Sequence, residues 1–419
     1  MGHSSGRSTP TRPVPHPFRV PSRRPMIAFT YSGQGSQQPG MGAPWVDHPS
    51  WELVDEASKA AGRDVSHLLL DADADELRET RNAQLATFVT SMVILDAVER
   101  LGIDAVGHAG HSLGEYSALT ASGALGFSDA VSLVVERGEA MQVAAQNPEG
   151  TMAAVLGLDH TSVEEACAAV DGSVWVANYN APGQVVIAGA PDAVVAAGEE
   201  AKARGAKRAT GLEVSGAFHT PFMAPARDHL GEAIDATDIR PPEGVVVANV
   251  DATAHENPAT WKAMMNAQLC SPVRWSQSLQ TLSSAGFATF VELGPGNVLT
   301  GLVKRTIKDA RRLTVNTPDH LDALLDALAA PVETETDGSG AVEGEHLFAT
   351  DRMVVSPATG VFTPTADVGP GQTVIAGALL GHIAATEIRS PFSGEFMGWL
   401  AVEKERVTAS KPIAWLRAQ

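Results

Sequence analysis

Apolar residues follow two rhythms along this chain. Short runs such as Met26-Ile27-Ala28-Phe29-Thr30-Tyr31 and Ile103 to Ala109 read as buried strands, and they alternate with longer amphipathic stretches. From Met26 to about Ala330 this alternation is the mark of an α/β architecture. Ser128-Asp129 before Val131, Val134 and Val135 predicts a helix with a polar N-cap. From about Gly150 to Val214 the rhythm changes. Thr151 to Leu158 and Val174 to Ala188 read as strands, each with a helical stretch after it. That is the β-α-β-β-α-β order of a small ferredoxin-like subdomain inserted into the larger unit.

Residues 331–344 are Glu, Thr, Gly and Ser with almost nothing apolar, which predicts a solvated linker. Beyond it come short β-runs, frequent Gly and Pro, and an internal echo. Val355-Ser356-Pro357-Ala358-Thr359-Gly360 returns as Arg389-Ser390-Pro391-Phe392-Ser393-Gly394, and Gln372 to Gly377 is loosely answered by Glu405 to Ser410. A two-fold repeat of short strands predicts a small barrel or sandwich with two similar halves. Residues 1–25 carry Arg, Pro and Ser without an acid or an apolar core, and read as a disordered tail or the product of an upstream start codon. The expected partition is a tail over 1–25, a large unit over 26–149 and 215–330, an insert over 150–214, a linker over 331–344, and an all-β unit over 345–419.

Composition removes several classes of function. The net charge of −19 argues against a nucleic-acid partner, because phosphate binding needs a basic surface. No apolar run reaches the length of a membrane span. Two cysteines, Cys167 and Cys270, suggest neither a disulfide framework nor a metal site and fit a reducing, cytoplasmic setting.

The candidate chemistry starts at Gly110-His111-Ser112-Leu113-Gly114. A G-x-S-x-G sequence between a strand and a helix has the form of a nucleophile elbow, in which small flanking residues let the chain bend sharply and expose the serine hydroxyl. On its own it equally fits a glycine-lined turn whose serine caps the helix. Other motifs are ambiguous in the same way. His219 could be an ordinary loop residue, and His111 adjoins the serine. Arg137 could pair with Glu136 or Glu139 on a helix surface. Gly33-Gln34-Gly35 could be a simple turn.

Six motifs in order carry a resemblance. They are Tyr31 to Gln37, the elbow, Glu136-Arg137-Gly138-Glu139-Ala140-Met141, Asn180 to Gly189, Gly216-Ala217-Phe218-His219 and Glu292-Leu293-Gly294-Pro295-Gly296. Over residues 26–320 the chain resembles malonyl-CoA:acyl-carrier-protein transacylases and the acyltransferase domains of polyketide synthases. The resemblance implies a hydrolase-like parallel-sheet core and a malonyl-serine intermediate. It implies Ser112 as nucleophile, His219 as base, and the main-chain carbonyl of Gln268 as the group that orients His219. Further implied are an oxyanion hole from the N–H groups of Gln34 and Leu113, and Arg137 as the grip on the malonyl carboxylate. Phe218 is implied as the residue that excludes an α-methyl, and Gln84, Met141, Asn180 and Gln184 as residues lining the cleft. The implied partners are a coenzyme A thioester and an acyl carrier protein, in fatty-acid or polyketide synthesis. A hydrolase clearing carrier-bound thioesters, or a non-catalytic scaffold, are the alternatives.

Carrier proteins are acidic, as this chain is, so docking needs a local basic patch. Two clusters are available: Lys202, Arg204, Lys207 and Arg208, or Lys304, Arg305, Lys308, Arg311 and Arg312. We expect the second to dock the carrier. Residues 345–419 resemble a biotinyl/lipoyl carrier domain. Where that family presents its modifiable lysine this chain has Ala384-Ala385-Thr386-Glu387, so neither biotin nor lipoate is expected.

Overall fold

The computed structural model describes residues 26–329 and 351–417, apart from 147, 215, 359, 366–367, 385, 392, 402–403, 405 and 408–410. The expected tail over 1–25 and linker over 331–344 lie outside the described residues. In the large unit, β1 (Met26–Tyr31) and β2 (Gly107–Gly110) pair in parallel, Ala28 to Tyr31 lying opposite Gly107 to Gly110. β2 starts later than the expected Ile103. The pairing edge of β1 begins at Ala28, and Asp104 and Val106 face solvent ahead of it. Between the two strands runs the helix Thr80–Arg100, most of whose residues are buried. The helix Gly114–Ala121 follows β2, and the helix Phe127–Ala144 packs against Thr80–Arg100. The last of these begins at Phe127, not after a Ser128 cap. The Ser128 hydroxyl instead donates to Glu56.

The next segment makes β3 (Thr151–Leu156), the helix His160–Ala168, β4 (Val174–Ala181), β5 (Gln184–Gly189), the helix Pro191–Ala203 and β6 (Arg208–Gly211). The expected strand over Val174 to Ala188 is therefore a hairpin, turned at Pro182-Gly183, and β3 stops two residues short of Leu158. The four strands form one sheet in the order β4-β5-β3-β6 with every pair antiparallel. Val155, Val163, Val185 and Ile187 give this sheet its own core. It is fastened to the large unit by backbone hydrogen bonds, Tyr179 N–H to Val273 and Val273 N–H to Ala177.

The chain then returns to the first sheet with β7 (Val245–Val246), β8 (Phe287–Leu293) and β9 (Arg311–Val315). The completed sheet has the order β7-β2-β1-β8-β9, all parallel. Strand order reverses about β1, with β2 on one side and β8 on the other. The loops leaving the carboxyl ends of β1, β2 and β8 therefore diverge there and leave a crevice, as open parallel sheets do at such a switch. Trp45, Trp261 and Trp275 are fully buried around this framework, where each large ring is worth roughly 1.5–3 kcal/mol or more.

Residues 351–417 form two four-stranded sheets. Their strands are β10 (Asp351–Val355), β11 (Gly360–Pro364), β12 (Thr373–Val374), β13 (Leu379–Ile383), β14 (Thr386–Arg389), β15 (Gly394–Trp399), β16 (Arg406–Val407) and β17 (Pro412–Arg417). One sheet runs β10-β17-β15-β12 and the other β14-β13-β11-β16. Each half of the segment contributes two strands to each sheet. The echoed Ser356 and Ser390 are both buried at the corresponding strand-to-strand turn, so the internal repeat is one of structure.

Candidate active site

The crevice at the switch point is a cleft of about 210 Å³, with the loop after β1 on one wall and the inserted sheet on the other. Ser112 lies on its floor at the end of β2. The bend that puts it there needs glycine on both sides: a Cβ on Gly110 would stand 1.7 Å from the Gly114 carbonyl oxygen, and one on Gly114 would stand 2.2 Å from the Tyr31 carbonyl. Ser112 itself has φ 54°, and His219 φ 62°. Both are non-glycine residues in the left-handed region, which is held only where surrounding structure enforces it.

Ser112 Oγ lies 2.7 Å from His219 Nε2, and His219 Nδ1 lies 3.0 Å from the main-chain carbonyl of Gln268. A carbonyl only accepts, so Nδ1 carries the proton and Nε2 is left to accept from the serine hydroxyl. Burial pushes the imidazole down to about 3, and the positive charge of Arg137 adds to that shift, so His219 is neutral at working pH. His111 does not compete for the serine. Its Nε2 is held 2.8 Å from Asn180 Oδ1, and its ring meets Trp275 edge to face.

Arg137 departs from the surface reading. It is 1% exposed and pairs with neither Glu136 nor Glu139, whose carboxylates go to His229 and Arg81. On the helix Phe127–Ala144 its face turns inward. Nη1 donates to Gln84 Oε1 at 2.5 Å, and Nη2 donates to Gln268 Oε1 at 2.9 Å and to Ser112 Oγ at 3.1 Å. The guanidinium also stands 5.5 Å from the centre of the Tyr116 ring, and Nε has no partner among the described residues. A guanidinium so placed is a cation aimed at the nucleophile with donor capacity to spare.

The remaining expected residues divide into two groups. Gln34, Met141, Asn180, Gln184 and Phe218 line the cleft, and Gln184 accepts a hydrogen bond from Arg305 across its mouth. Gln84 corrects the sequence reading. It is fully buried behind the wall, where it donates to Met141 Sδ and accepts from Arg137, so it supports the lining and is not part of it. Leu113 is buried beneath the serine at the start of its helix. The Gly33 turn is pressed onto the elbow, since a Cβ there would sit 2.4 Å from the His111 carbonyl. Gln34, next in the chain, lines the same cleft as Ser112. The Glu292-Leu293-Gly294-Pro295-Gly296 motif begins with a structural carboxylate. The Glu292 carboxylate accepts from the N–H groups of Leu299 and Thr300 and caps the helix Val298–Thr306, which forms part of the cleft wall.

The family model described as "Acyl transferase domain" matches residues 28–337. The chain belongs to this family. It is 43% identical over 307 residues to the malonyl CoA-acyl carrier protein transacylase of Bacillus subtilis, which covers 72% of this chain and 97% of the relative. The acyl-carrier-protein S-malonyltransferase structure from Burkholderia pseudomallei superposes with a TM-score of 0.70 at 41% identity, covering 72% of this chain and 99% of that one. A structure of a malonyl-transacylase in complex with its type II PKS acyl-carrier protein gives a TM-score of 0.70 at 37% identity, covering 72% and 99%.

Two residues of this acyl transferase domain escaped the sequence reading. Asn249 Oδ1 accepts the Ser112 N–H at 2.7 Å while its Nδ2 donates to the Gly110 carbonyl at 2.8 Å, so one side chain clamps both sides of the elbow. Glu115 is fully buried in the first turn after the serine and accepts from the Asn249 N–H. The only sequence signals were an asparagine closing the apolar run Val245-Val246-Val247-Ala248 and a carboxylate in an otherwise small and apolar helix start.

Proposed function

We propose that the protein transfers a malonyl group from malonyl-CoA to the phosphopantetheine thiol of an acyl carrier protein. The observation that carries this reading is the buried Arg137 guanidinium 3.1 Å from the Ser112 hydroxyl. A cation at that spot favours an acyl group with a free carboxylate, which a fork of two N–H donors can grip.

The reaction is ping-pong. Ser112 Oγ attacks the thioester carbonyl carbon as its proton passes to His219 Nε2, and the oxyanion forms against the N–H groups of Leu113 and Gln34. The carbon–sulfur bond breaks, His219 returns the proton to the departing thiolate, and malonyl remains as an ester on Ser112. The carrier thiol then gives its proton to His219 and attacks that ester, and Ser112 leaves and recovers a proton from His219. With a carbonyl in place of an acid behind the histidine, the site is a dyad, which suffices for a reactive thioester. Phe218 fills the space an α-methyl would need.

Lys304, Arg305 and Lys308 are exposed and form no ion pair among the described residues, and Arg305 donates to the cleft residue Gln184, whereas Lys202 and Arg204 are paired with Glu199, Glu200 and Glu165. This supports the first group, with Arg311, as the carrier's dock. Arg311 and Arg312 lie on β9, not on the helix, and Arg312 is engaged by the carbonyls of Lys308 and Ala310. We further read residues 26–149 and 215–330 as the large subdomain, 150–214 as its ferredoxin-like insert, and 345–419 as a biotinyl/lipoyl-like unit that carries neither group. The low cysteine count supports a cytoplasmic setting.

Intact-protein mass tests these readings together. The purified chain is expected at its unmodified mass, and malonyl-CoA is expected to add one malonyl group that Ser112→Ala abolishes. With carrier protein present the malonyl mass moves to the carrier. Release of free malonate instead would make the protein a hydrolase, and no mass change with either variant would leave a scaffold.

A further inference from the structure

Glu115 is a buried carboxylate beside the nucleophile that the reaction above does not use. Its Oε1 accepts the Asn249 N–H at 2.7 Å and its Oε2 accepts Gln268 Nε2 at 2.5 Å. Gln268 carries the link onward, because its Oε1 accepts from Arg137 Nη2 at 2.9 Å. No ion pair joins Glu115 to Arg137 directly among the described residues; the Gln268 amide stands between them. Burial pushes the Glu115 carboxyl up to about 7, against the pull of these two hydrogen bonds and of the Arg137 charge. A carboxylate kept in so apolar a place costs stability unless its partners need it there.

We propose that Glu115 is a positioning residue for the acyl carboxylate, acting through the Gln268 side chain to fix the orientation of the Arg137 guanidinium. This rests on the reading of Arg137 as the malonyl grip. The argument is one of donor and acceptor ends. An amide side chain has one of each, and an ionised carboxylate only accepts. Glu115 and the Ser112 main-chain carbonyl, which accepts Gln268 Nε2 at 2.9 Å, together draw the NH₂ end of Gln268, and the oxygen end is left facing Arg137. In Glu115→Gln the new amide keeps its oxygen on the Asn249 N–H and turns its own NH₂ towards Gln268. That NH₂ opposes the NH₂ of Gln268, which the Ser112 carbonyl still holds, so the Gln268 side chain is displaced from between residue 115 and Arg137. Arg137 loses an acceptor and turns away, while the Gln268 main-chain carbonyl still holds His219.

The test compares two substrates and one neutral probe. Glu115→Gln is expected to lower kcat/KM for malonyl-CoA about 10- to 100-fold, the range for a hydrogen bond to a charged group. The malonyl-to-acetyl ratio falls with it, whereas inactivation of Ser112 by an uncharged fluorophosphonate changes less than about threefold, because that reaction needs no grip on a carboxylate. Glu115→Asp withdraws the carboxylate from Gln268 by one methylene, so it must show the same split, and it decides the matter should Glu115→Gln not fold. Gln268→Met deletes the link and also the contact to the Ser112 carbonyl, so its loss for malonyl-CoA must be at least as large, and the double variant with Glu115→Gln must lose no more than Gln268→Met alone, since both changes break one chain of contacts. Equal losses for malonyl, acetyl and the probe would make Glu115 merely structural and overturn the proposal, as would no loss at all. Arg137→Ala separates the two levels. If it leaves the malonyl preference intact, the reading of Arg137 fails; if it abolishes the preference and Glu115→Gln does not, only the role of Glu115 fails.

Discussion

Arg137 Nη2 donates to Ser112 Oγ at 3.1 Å, so the cation and the nucleophile are hydrogen-bonded before any substrate arrives. On the proposed reading, the arriving carboxylate takes over a donor that the serine hydroxyl occupied, which frees the hydroxyl for attack as the acyl group is seated. A single ammonium cannot reproduce the contacts to Gln84, Gln268 and Ser112 at once. Arg137→Lys is therefore expected to retain charge yet lose about 10- to 100-fold in kcat/KM for malonyl-CoA, at about 1.4 kcal/mol per decade. Steady-state kinetics with malonyl-CoA and carrier protein check this, and near-wild-type kinetics would show that charge alone is enough.

The same cation helps to set the pH behaviour of the base. Burial, then the Arg137 charge, hold His219 at about 3, with His111 adding to the shift and the Gln268 carbonyl opposing it. The active form is the neutral imidazole. With its pKa lowered, that form persists as pH falls, where an ordinary histidine near 6.5 would be roughly 30-fold depleted at pH 5. Inactivation of Ser112 by an uncharged fluorophosphonate should thus stay flat from pH 8 to pH 5. A limb centred near pH 6.5 would count against the buried, neutral base.

The elbow, β1 and the insert were legible because each is a local pattern: glycines around a serine, an unbroken apolar run, a strand–helix alternation. The orientation of Arg137 was not. Its neighbours Glu136 and Glu139 offered a surface partner, and only the packing of Phe127–Ala144 on Thr80–Arg100 turns the arginine inward. Glu115 and Asn249 were hidden for a related reason. Their partners lie 134 and 153 residues away for Glu115, and 137 for Asn249, so no window of sequence holds the contact. β2 was drawn too long because apolar content alone does not say where the neighbouring strand begins.

Gly33 is expected to be intolerant of a methyl group in a way that reads out in chemistry. A Cβ there meets the His111 carbonyl at 2.4 Å, so the turn carrying the Gln34 N–H must back away from the elbow. Losing one oxyanion donor costs about 10²–10³ in rate, and Gly33→Ala should lower malonyl loading of Ser112 by that order with little change in melting temperature. Gly301→Ala is the control. It points into open space on an exposed helix position, and should leave loading unchanged while adding up to about 1 kcal/mol of stability.

Phe218 should govern the size of the acyl group. Its ring lines the cleft beside His219 and is 5% exposed. Excluding one methyl by shape is worth about 1–3 kcal/mol, so Phe218→Ser is expected to narrow the malonyl-to-methylmalonyl ratio by about 10-fold or more. Competition between the two coenzyme A thioesters, with a melting curve to confirm folding, measures it. An unchanged ratio would move the selectivity elsewhere in the cleft.

Carrier docking is the point at which the net charge of −19 works against the enzyme. Like-charged partners meet slowly unless the approach passes over a basic surface, and such steering weakens as salt screens it beyond about 8–10 Å. Arg305 stands at the cleft mouth with Nη1 on Gln184, and Arg311 follows on the adjoining strand. Reversing both, Arg305→Glu with Arg311→Glu, should raise KM for the carrier severalfold and flatten its salt dependence. The first half-reaction is read separately as malonyl mass on Ser112, and should continue at saturating malonyl-CoA. A carrier KM that does not move would place the dock on another face, and a collapse of Ser112 loading would mean that these arginines serve the cleft itself.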